Sequence, residues 1–286
     1  MYKLEVKGVT HIYGAKTPFE KTALSAVNVG FEAGQITGLI GHTGSGKSTL
    51  VQMLNGLIRP QSGEILLDGE DIWARPKEIG RVRTRVGLVM QYPEYQLFDE
   101  TVRRDVGFAL RNAGMDEGEI DARVSEAAEC VGLEASLLDK SPFDLSGGQK
   151  RRAAIAGILA MRPEVLVLDE PAAGLDPRGR ADVLGYLRRY RERFGATIIL
   201  VSHSMEDMAQ YCDRVVVLRR GEVFLSGRVD EVFYRSEELA SVGLDIPEVM
   251  KIALALVERG VPLSGKLYTV DGARDAILEL LKRRGC

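Results

Sequence analysis

Residues 41–48 read GHTGSGKS and follow residues 35–40, a short apolar run typical of a buried strand. The eight letters match the pattern GxxxxGK[ST] in the strand–loop–helix context that this pattern requires. Glycines let backbone N–H groups turn towards a phosphate, and a helix beginning at Lys47 directs its positive end to the same point. The stretch therefore predicts a phosphate-binding loop, whose members are Gly41, His42, Thr43, Gly44, Ser45, Gly46, Lys47 and Ser48.

The side chains of this loop predict ATP and Mg²⁺ as cofactors. Lys47 is expected to reach the β- and γ-phosphates, and the Ser48 hydroxyl is a suitable ligand for a magnesium ion that bridges them. Thr49 is placed to bond the α-phosphate. His42 falls at a variable position of the pattern, so it counts as part of the loop but its side chain receives no role.

A second motif carries two carboxylates. Four apolar residues, 165–168, precede Asp169 and Glu170, which therefore emerge from the end of a buried strand. An acidic pair in this position is more often only a favourable charge at a helix N-terminus. Beside a phosphate loop, however, we expect Asp169 to hold the metal through water and Glu170 to orient or deprotonate the attacking water.

A third motif, LSGGQ, opens a predicted helix at residues 147–161. It consists of Leu145, Ser146, Gly147, Gly148 and Gln149. A hydroxyl and unobstructed N–H groups at a positive helix end would form a second phosphate cradle, although helix capping alone would explain the same letters. Two cradles in one chain are best explained if the second binds nucleotide held by a neighbouring subunit.

The surrounding sequence predicts an α/β fold. Apolar runs typical of strands alternate with helical patterns, which indicates a largely parallel sheet with helices on both faces. Residues 100–160 interrupt the alternation with helix alone and predict an inserted helical subdomain that contains LSGGQ. We expect one domain at residues 1–235 and a small helical extension at 236–286, whose apolar faces either pack on the main domain or form an interaction surface.

Composition narrows the class of protein. The 286 residues are 45% hydrophobic and 28% charged with a net charge of −3, so the basic surplus typical of nucleic-acid binding is missing. No apolar run approaches the roughly 20 residues of a membrane span, and the N-terminus lacks a signal-peptide layout. Cys130, Cys212 and Cys286 lack metal-binding spacing, which favours free thiols in the cytoplasm.

Taken in order, the phosphate loop, Gln91, LSGGQ, the VLVLDE run and His203 resemble an ATP-binding cassette (ABC) ATPase over residues 1–235. The resemblance implies a P-loop NTPase core with a mostly parallel sheet and an antiparallel β subdomain. It also implies that Tyr13 stacks on adenine, that Gln91 links the nucleotide and its metal to a membrane partner, that Asp176 contacts across a dimer and that His203 senses the γ-phosphate. Without the resemblance, Tyr13 and His203 would be read as ordinary structural residues.

Four longer phrases are similar to the second, A-prime-type ATPase of energy-coupling factor transporters: TPFEKTAL at 17–24, GLIGHTGSGKSTL at 38–50, QYPEYQLF at 91–98 and LSGGQKRR at 145–152. The resemblance implies a heterodimer with a related ATPase, a transmembrane coupling protein and a separate substrate-capture membrane protein at the cytoplasmic face. Pairing with a second copy is sterically allowed. The cargo would be a vitamin or a nickel or cobalt ion, and Tyr95, Leu97 and Phe98 would anchor the membrane partner.

Three other functions remain open at this point. A conventional ABC importer with two permeases would use the same catalytic motifs. A soluble ABC ATPase acting on nucleic acid or ribosomes usually has a long coiled coil or two cassettes in one chain, and the sequence shows neither. A regulatory nucleotide binder would not need Glu170 and His203.

Overall fold

The computed structural model describes residues 1–283, so Cys286 and the end of the predicted extension lie outside the described residues. The strands are β1 (Tyr2–Tyr13), β2 (Lys21–Glu32), β3 (Ile36–Ile40), β4 (Ser62–Leu67), β5 (Glu70–Asp71), β6 (Val86–Val89), β7 (Val165–Asp169), β8 (Thr197–Val201), β9 (Arg214–Arg219) and β10 (Glu222–Arg228). The helices are α1 (Lys47–Leu54), α2 (Ile79–Arg85), α3 (Val102–Val106), α4 (Phe108–Asn112), α5 (Glu117–Cys130), α6 (Gly147–Leu159), α7 (Pro177–Phe194), α8 (Met205–Tyr211), α9 (Val229–Phe233), α10 (Ser236–Ser241), α11 (Glu248–Glu258) and α12 (Val270–Arg283).

The central sheet has the order β10-β9-β3-β8-β7-β6, and only β10 runs antiparallel to its neighbour. Every residue of β3, β7 and β8 is buried, which explains their nearly continuous apolar sequences. The phosphate loop follows β3, Asp169 ends β7, and His203 follows β8. Because these parallel strands are neighbours, their carboxyl ends bring the three predicted segments to one edge of the sheet.

A second, antiparallel sheet has the order β2-β1-β4-β5, as the family resemblance implied. It shares a core with α1 and β3 that includes Phe31, Leu39 and Leu54. Strand β1 reaches Tyr13 because residues 11–13 continue to pair with β2, ending at Tyr13 opposite Lys21. This extension places Tyr13 at the end of β1, on the α1 side of the site.

The inserted region between β6 and β7 is helical, as predicted. Helices α5 and α3 both pack on α6, and their apolar residues join the core of the main sheet. The first helical stretch of this region, residues 102–112, is divided into α3 and α4 at Gly107. A Cβ at Gly107 would lie 3.0 Å from Ile120 Cγ2, so the glycine allows α5 to approach closely.

The C-terminal segments pack partly on the main core and partly on each other. Met250 of α11 is fully buried in the main core, whereas Ala253, Leu263 and Leu267 form a small cluster of their own. Tyr234 donates a hydrogen bond of 3.1 Å to the carbonyl of Gly265. None of the helices in residues 1–283 is both long enough and apolar enough to span a bilayer.

Candidate nucleotide-binding site

The phosphate loop depends on glycine at two tightly packed positions. Gly41 and Gly46 have φ values of 152° and 105°. A Cβ would lie 2.4 Å from the Leu218 carbonyl oxygen at Gly41 and 2.5 Å from the Ala23 carbonyl oxygen at Gly46. Only glycine combines this space with this backbone conformation, so the sequence pattern reflects local geometry.

Helix α1 begins directly after this loop, and no side chain caps it: Gly46 occupies the N-cap position. Its first backbone N–H groups are therefore available to a ligand. Lys47 folds back over the loop, where its ammonium donates to the carbonyls of Gly41 at 2.6 Å and His42 at 3.1 Å. Burial lowers the pKa of Lys47, while the charges of Glu170 and Asp169 oppose that shift. The buried Ser45 hydroxyl has no hydrogen-bond partner among the described residues. Positive charge and free donors make the loop suited to a polyphosphate.

Ser48 and Asp169 supply hard oxygen atoms beside the loop. Asp169 is buried at the end of β7; burial raises its pKa, and a hydrogen bond with Ser48 opposes this. A hydroxyl and a carboxylate are donors that Mg²⁺ accepts, and Mg²⁺ usually binds through one or two such groups plus phosphate oxygens and water. Residues 1–283 contain no cluster of three His, Cys, Asp or Glu side chains able to hold a metal. The donor set therefore fits a metal that arrives with the nucleotide.

Glu170 brings Gln91 and His203 together. Its Oε1 lies 2.8 Å from His203 Nε2, and its Oε2 lies 3.4 Å from the Gln91 amide nitrogen. Glu170 adopts a left-handed backbone with φ of 52°, which costs a non-glycine residue about 1–2 kcal/mol. Strain of this kind concentrates at functional sites, where it directs a side chain. The structure thus joins three predicted residues around one carboxylate.

Tyr13 lies at the surface and not in the core. Its side chain is 42% exposed, its hydroxyl is 3.4 Å from Thr49 Oγ1, and the ring of His11 packs edge-on against it at 4.6 Å. His11, expected at the surface, is half-buried under this contact. An exposed ring beside α1 is what adenine stacking needs; the stacking itself remains a prediction.

The LSGGQ segment forms a complete helix cap within the chain. The Ser146 hydroxyl accepts from the Gln149 N–H at 3.4 Å, and the Gln149 side chain accepts from the Ser146 N–H at 2.9 Å. A Cβ at Gly147 or Gly148 would meet nothing within 4 Å. Leu145 is buried beneath the cap. The segment is therefore an open surface at the start of α6, and its binding of a neighbour's nucleotide remains a prediction.

Asp176 likewise has a local contact. Its carboxylate caps α7 by accepting a hydrogen bond of 2.9 Å from the Gly179 N–H. Its contact across a dimer remains a prediction.

One ion pair beside the site was not predicted from the sequence. Arg180 Nε donates to both oxygens of the buried Asp207, at 3.0 and 2.8 Å, beneath the loop that carries His203. The Asp207 N–H donates to the Ser204 hydroxyl, which caps α8. The spacing of Ser204 and Asp207 resembles a capping box and could have signalled the cap. The partner, 27 positions away on α7, could not be read from that spacing.

The site combines a phosphate loop after β3, two carboxylates at the end of β7, a histidine after β8 and LSGGQ on the inserted helices. This combination defines an ATPase of the ABC class.

Comparison with known proteins agrees. The ABC transporter family model matches residues 24–173, more than half of the chain. The energy-coupling factor transporter ATP-binding protein EcfA2 of Clostridium perfringens is 50% identical over 280 residues, covering 98% of both chains. Its counterpart in Symbiobacterium thermophilum is 49% identical, covering 97% of this chain and 96% of the relative.

Solved structures give the same result. The structure of cbiO1 from Clostridium perfringens, described as part of the ABC transporter complex cbiONQ, has a TM-score of 0.74 at 40% identity and covers 84% of this chain and 94% of its own. The dimeric cassette MJ0796, bound to ADP and Pi, has a TM-score of 0.71 at 28% identity and covers 79% and 98%. The chain belongs to the energy-coupling factor transporter ATP-binding proteins of the ABC family and is an ATP-binding, ATP-hydrolysing transporter subunit.

Proposed function

We propose that this chain powers an energy-coupling factor importer as one of two ATPase subunits, paired with a second, related ATPase. The observation that carries the proposal is that one chain holds two cradles on separate units, the phosphate loop on β3 and LSGGQ on the inserted α6. The dimeric MJ0796 cassette and the cbiONQ complex named for cbiO1 support this assembly by similarity. The ATPase domain would comprise residues 1–235, with residues 236–286 as an extension.

A surface groove supports docking of a membrane partner. A cavity of about 1030 Å³ lies between α2, β6 and the inserted helices, and its apolar lining includes Leu57, Met90 and Phe108. Phe98 packs edge-on against Phe108 at 4.9 Å and remains 59% exposed, while Tyr95 is 85% exposed. Apolar and aromatic side chains around a groove suit a helix of a coupling protein. The ATPase would thus bind peripherally at the cytoplasmic face, beside a substrate-capture membrane protein.

The proposed mechanism uses the residues at the sheet edge. Lys47 and the α1 N-terminus would hold the phosphates of ATP. Ser48, Gln91 and, through water, Asp169 would hold Mg²⁺, which would supply positive charge to neutralise the developing phosphate charge. Glu170 orients a water molecule and takes its proton as the water oxygen bonds to the γ-phosphorus and the bond to ADP breaks. His203, whose Nε2 lies 2.8 Å from Glu170 Oε1, would contact the γ-phosphate. Closure of two cassettes over ATP would move the membrane partner, and hydrolysis would release it.

The membrane partner, and not this chain, would select the cargo. We propose a vitamin or a nickel or cobalt ion, selected by the capture protein. Such a division of labour fits a chain whose described residues provide nucleotide chemistry and a docking groove.

A pull-down of tagged protein from detergent-solubilised native membranes, with mass spectrometry, tests the proposal. A second cassette and a coupling membrane protein are expected; two copies of a permease would favour a conventional importer, and ribosomes a soluble ABC machine. Tyr95→Asp should remove the membrane partner and keep the second cassette. Phe19→Asp is the matched control, because Phe19 is equally exposed at 86% but lies between β1 and β2.

A further inference from the structure

Arg151 is a buried cation that the catalytic assignments do not use. It lies one turn into α6, just after LSGGQ, and its side chain is only 4% exposed. A buried guanidinium is tolerated only when its donors are satisfied. Its contacts therefore show which segments it holds.

One set of contacts reaches the segment after Gln91. Arg151 Nε and Nη2 donate to the two carboxylate oxygens of Glu94 at 3.0 and 2.6 Å, the bidentate geometry in which arginine binds most specifically. The guanidinium carbon also lies 5.8 Å from the ring centroid of Tyr92, a cation–π contact. Tyr92 has a left-handed backbone with φ of 55°. The backbone that follows Gln91 is thus fixed to α6.

The other contacts reach the segment after Glu170. Arg151 Nη1 donates to the carbonyls of Ala173 at 2.6 Å and Pro171 at 3.3 Å. Pro171 directly follows Glu170, whose backbone is also left-handed. All three guanidinium nitrogens are therefore engaged, and they join the only two catalytic segments that carry a positive-φ non-glycine residue in the part of the chain described.

We propose that Arg151 is a positioning residue for ATP hydrolysis, a role that rests on the proposed function: it fixes Gln91 and Glu170 relative to the N-terminus of α6, so that movement of LSGGQ also moves Gln91 and the carboxylate that orients the water. Glu94, which accepts both hydrogen bonds of the bidentate pair, is the partner through which Arg151 fixes the segment after Gln91. Because the fork pairs with a carboxylate and with two carbonyls at once, lysine cannot replace it.

The test compares Glu94→Gln with Glu126→Gln in the full-length chain, purified in the assembly that it forms in its host. The control is matched: Glu126 is 19% exposed against 16% for Glu94, lies in the same region between β6 and β7 and also pairs with arginines. Glu94→Gln should lower kcat about tenfold or more because water is misaligned, while KM for ATP changes by less than about twofold. Glu126→Gln should retain both values. Arg151→Lys, which keeps the positive charge but removes the guanidinium fork, should also lower kcat.

A double-variant comparison separates positioning from stability. If Arg151 and Glu94 act through Gln91, Gln91→Ala should lower kcat much less in the Glu94→Gln background than in the wild type, and by its full amount in the Glu126→Gln background. All rates are compared at a temperature well below every Tm. If Gln91→Ala and Glu94→Gln lower kcat by independent factors that multiply in the double variant, the proposal is wrong. A kcat of Glu94→Gln equal to that of Glu126→Gln would also overturn it.

Discussion

Helices α1 and α6 both begin at a proposed phosphate cradle, yet they begin differently. No side chain caps α1, and the ammonium of Lys47 lies over the phosphate loop, where it donates to the Gly41 carbonyl. Helix α6 is closed by its own capping box between Ser146 and Gln149. A helix cap contributes about 1 kcal/mol of stability. Replacing the Ser146 hydroxyl with a phosphate oxygen as the acceptor at the start of α6 would therefore cost little. The first backbone N–H groups of α1 are thus free in the single chain, whereas Ser146 and Gln149 at the start of α6 already satisfy each other's N–H groups.

Lys47→Ala should have the largest effect, because it removes the charge from the cradle at α1. We expect turnover to fall by roughly a thousandfold or more and ATP affinity to fall as well, since Lys47 would bind both ground state and transition state. Turnover and equilibrium nucleotide binding measure the two losses. Lys140→Ala, at an exposed position in the inserted region, is the control and should change neither.

Glu170→Gln should separate chemistry from binding at the same cradle. The amide keeps the size of the side chain but cannot take a proton, so turnover should fall by about a hundredfold while ATP affinity is retained. Glu206→Gln, on an exposed side chain in the first turn of α8, is the control. Unchanged steady-state turnover in Glu170→Gln would show that another group orients the water.

Ser146→Ala tests the second cradle and should have an intermediate effect. Loss of the cap should lower the free energy of unfolding by about 1 kcal/mol. Turnover should fall about tenfold if the hydroxyl also binds a neighbour's phosphate, whereas ATP affinity of the isolated chain should not change. Asp116→Ala removes a comparable cap from α5 and should cause only the loss of stability. Equal turnover in both variants would leave capping as the sole role of Ser146.

The sequence predicted one cradle more completely than the other. The phosphate loop is local: its glycines, strand and helix are consecutive, so GHTGSGKS specifies its geometry. For Gly147 and Gly148 the sequence predicted a contact with a neighbouring subunit's nucleotide, and that contact remains a prediction because it involves a second molecule. Helix α2 was missed because it is short, none of its residues is buried and its apolar face consists only of Ile79 and Val82.

Long-range ion pairs were also invisible in the sequence. Arg151 and Glu94 are 57 positions apart, and the basic run at 150–152 gives no sign that its middle residue is buried. Whether an arginine is exposed or pairs with a distant carboxylate is decided by packing of whole elements. Sequence patterns therefore predicted the segments that the sheet brings together better than the long-range ion pairs beside them.

The smallest expected effect concerns an ion cluster that touches neither cradle. Glu164 precedes β7, at the strand end opposite Asp169, and accepts from Arg85 Nε at 2.6 Å and from Lys3. The hydrogen bond from Arg85, with that from Lys3, holds the pKa of Glu164 at about 2 against an ordinary 4.5, although burial opposes the shift. The side chain is 42% exposed, so screening by solvent limits the contribution to about 1 kcal/mol.

Glu164→Gln should therefore lower the free energy of unfolding by about 1 kcal/mol at pH 7 and leave turnover per folded molecule unchanged. Because the folded pKa lies below the unfolded one, the stabilisation is present above about pH 4.5 and is lost as the pH falls towards 2. Urea unfolding of both proteins between pH 7 and pH 4 should show the difference beginning to shrink below about pH 5. Glu222→Gln, at an exposed strand end, should show no such dependence. A pH-independent difference would mean that Glu164 acts through packing, and altered turnover would mean that this end of β7 communicates with the cradle at the other.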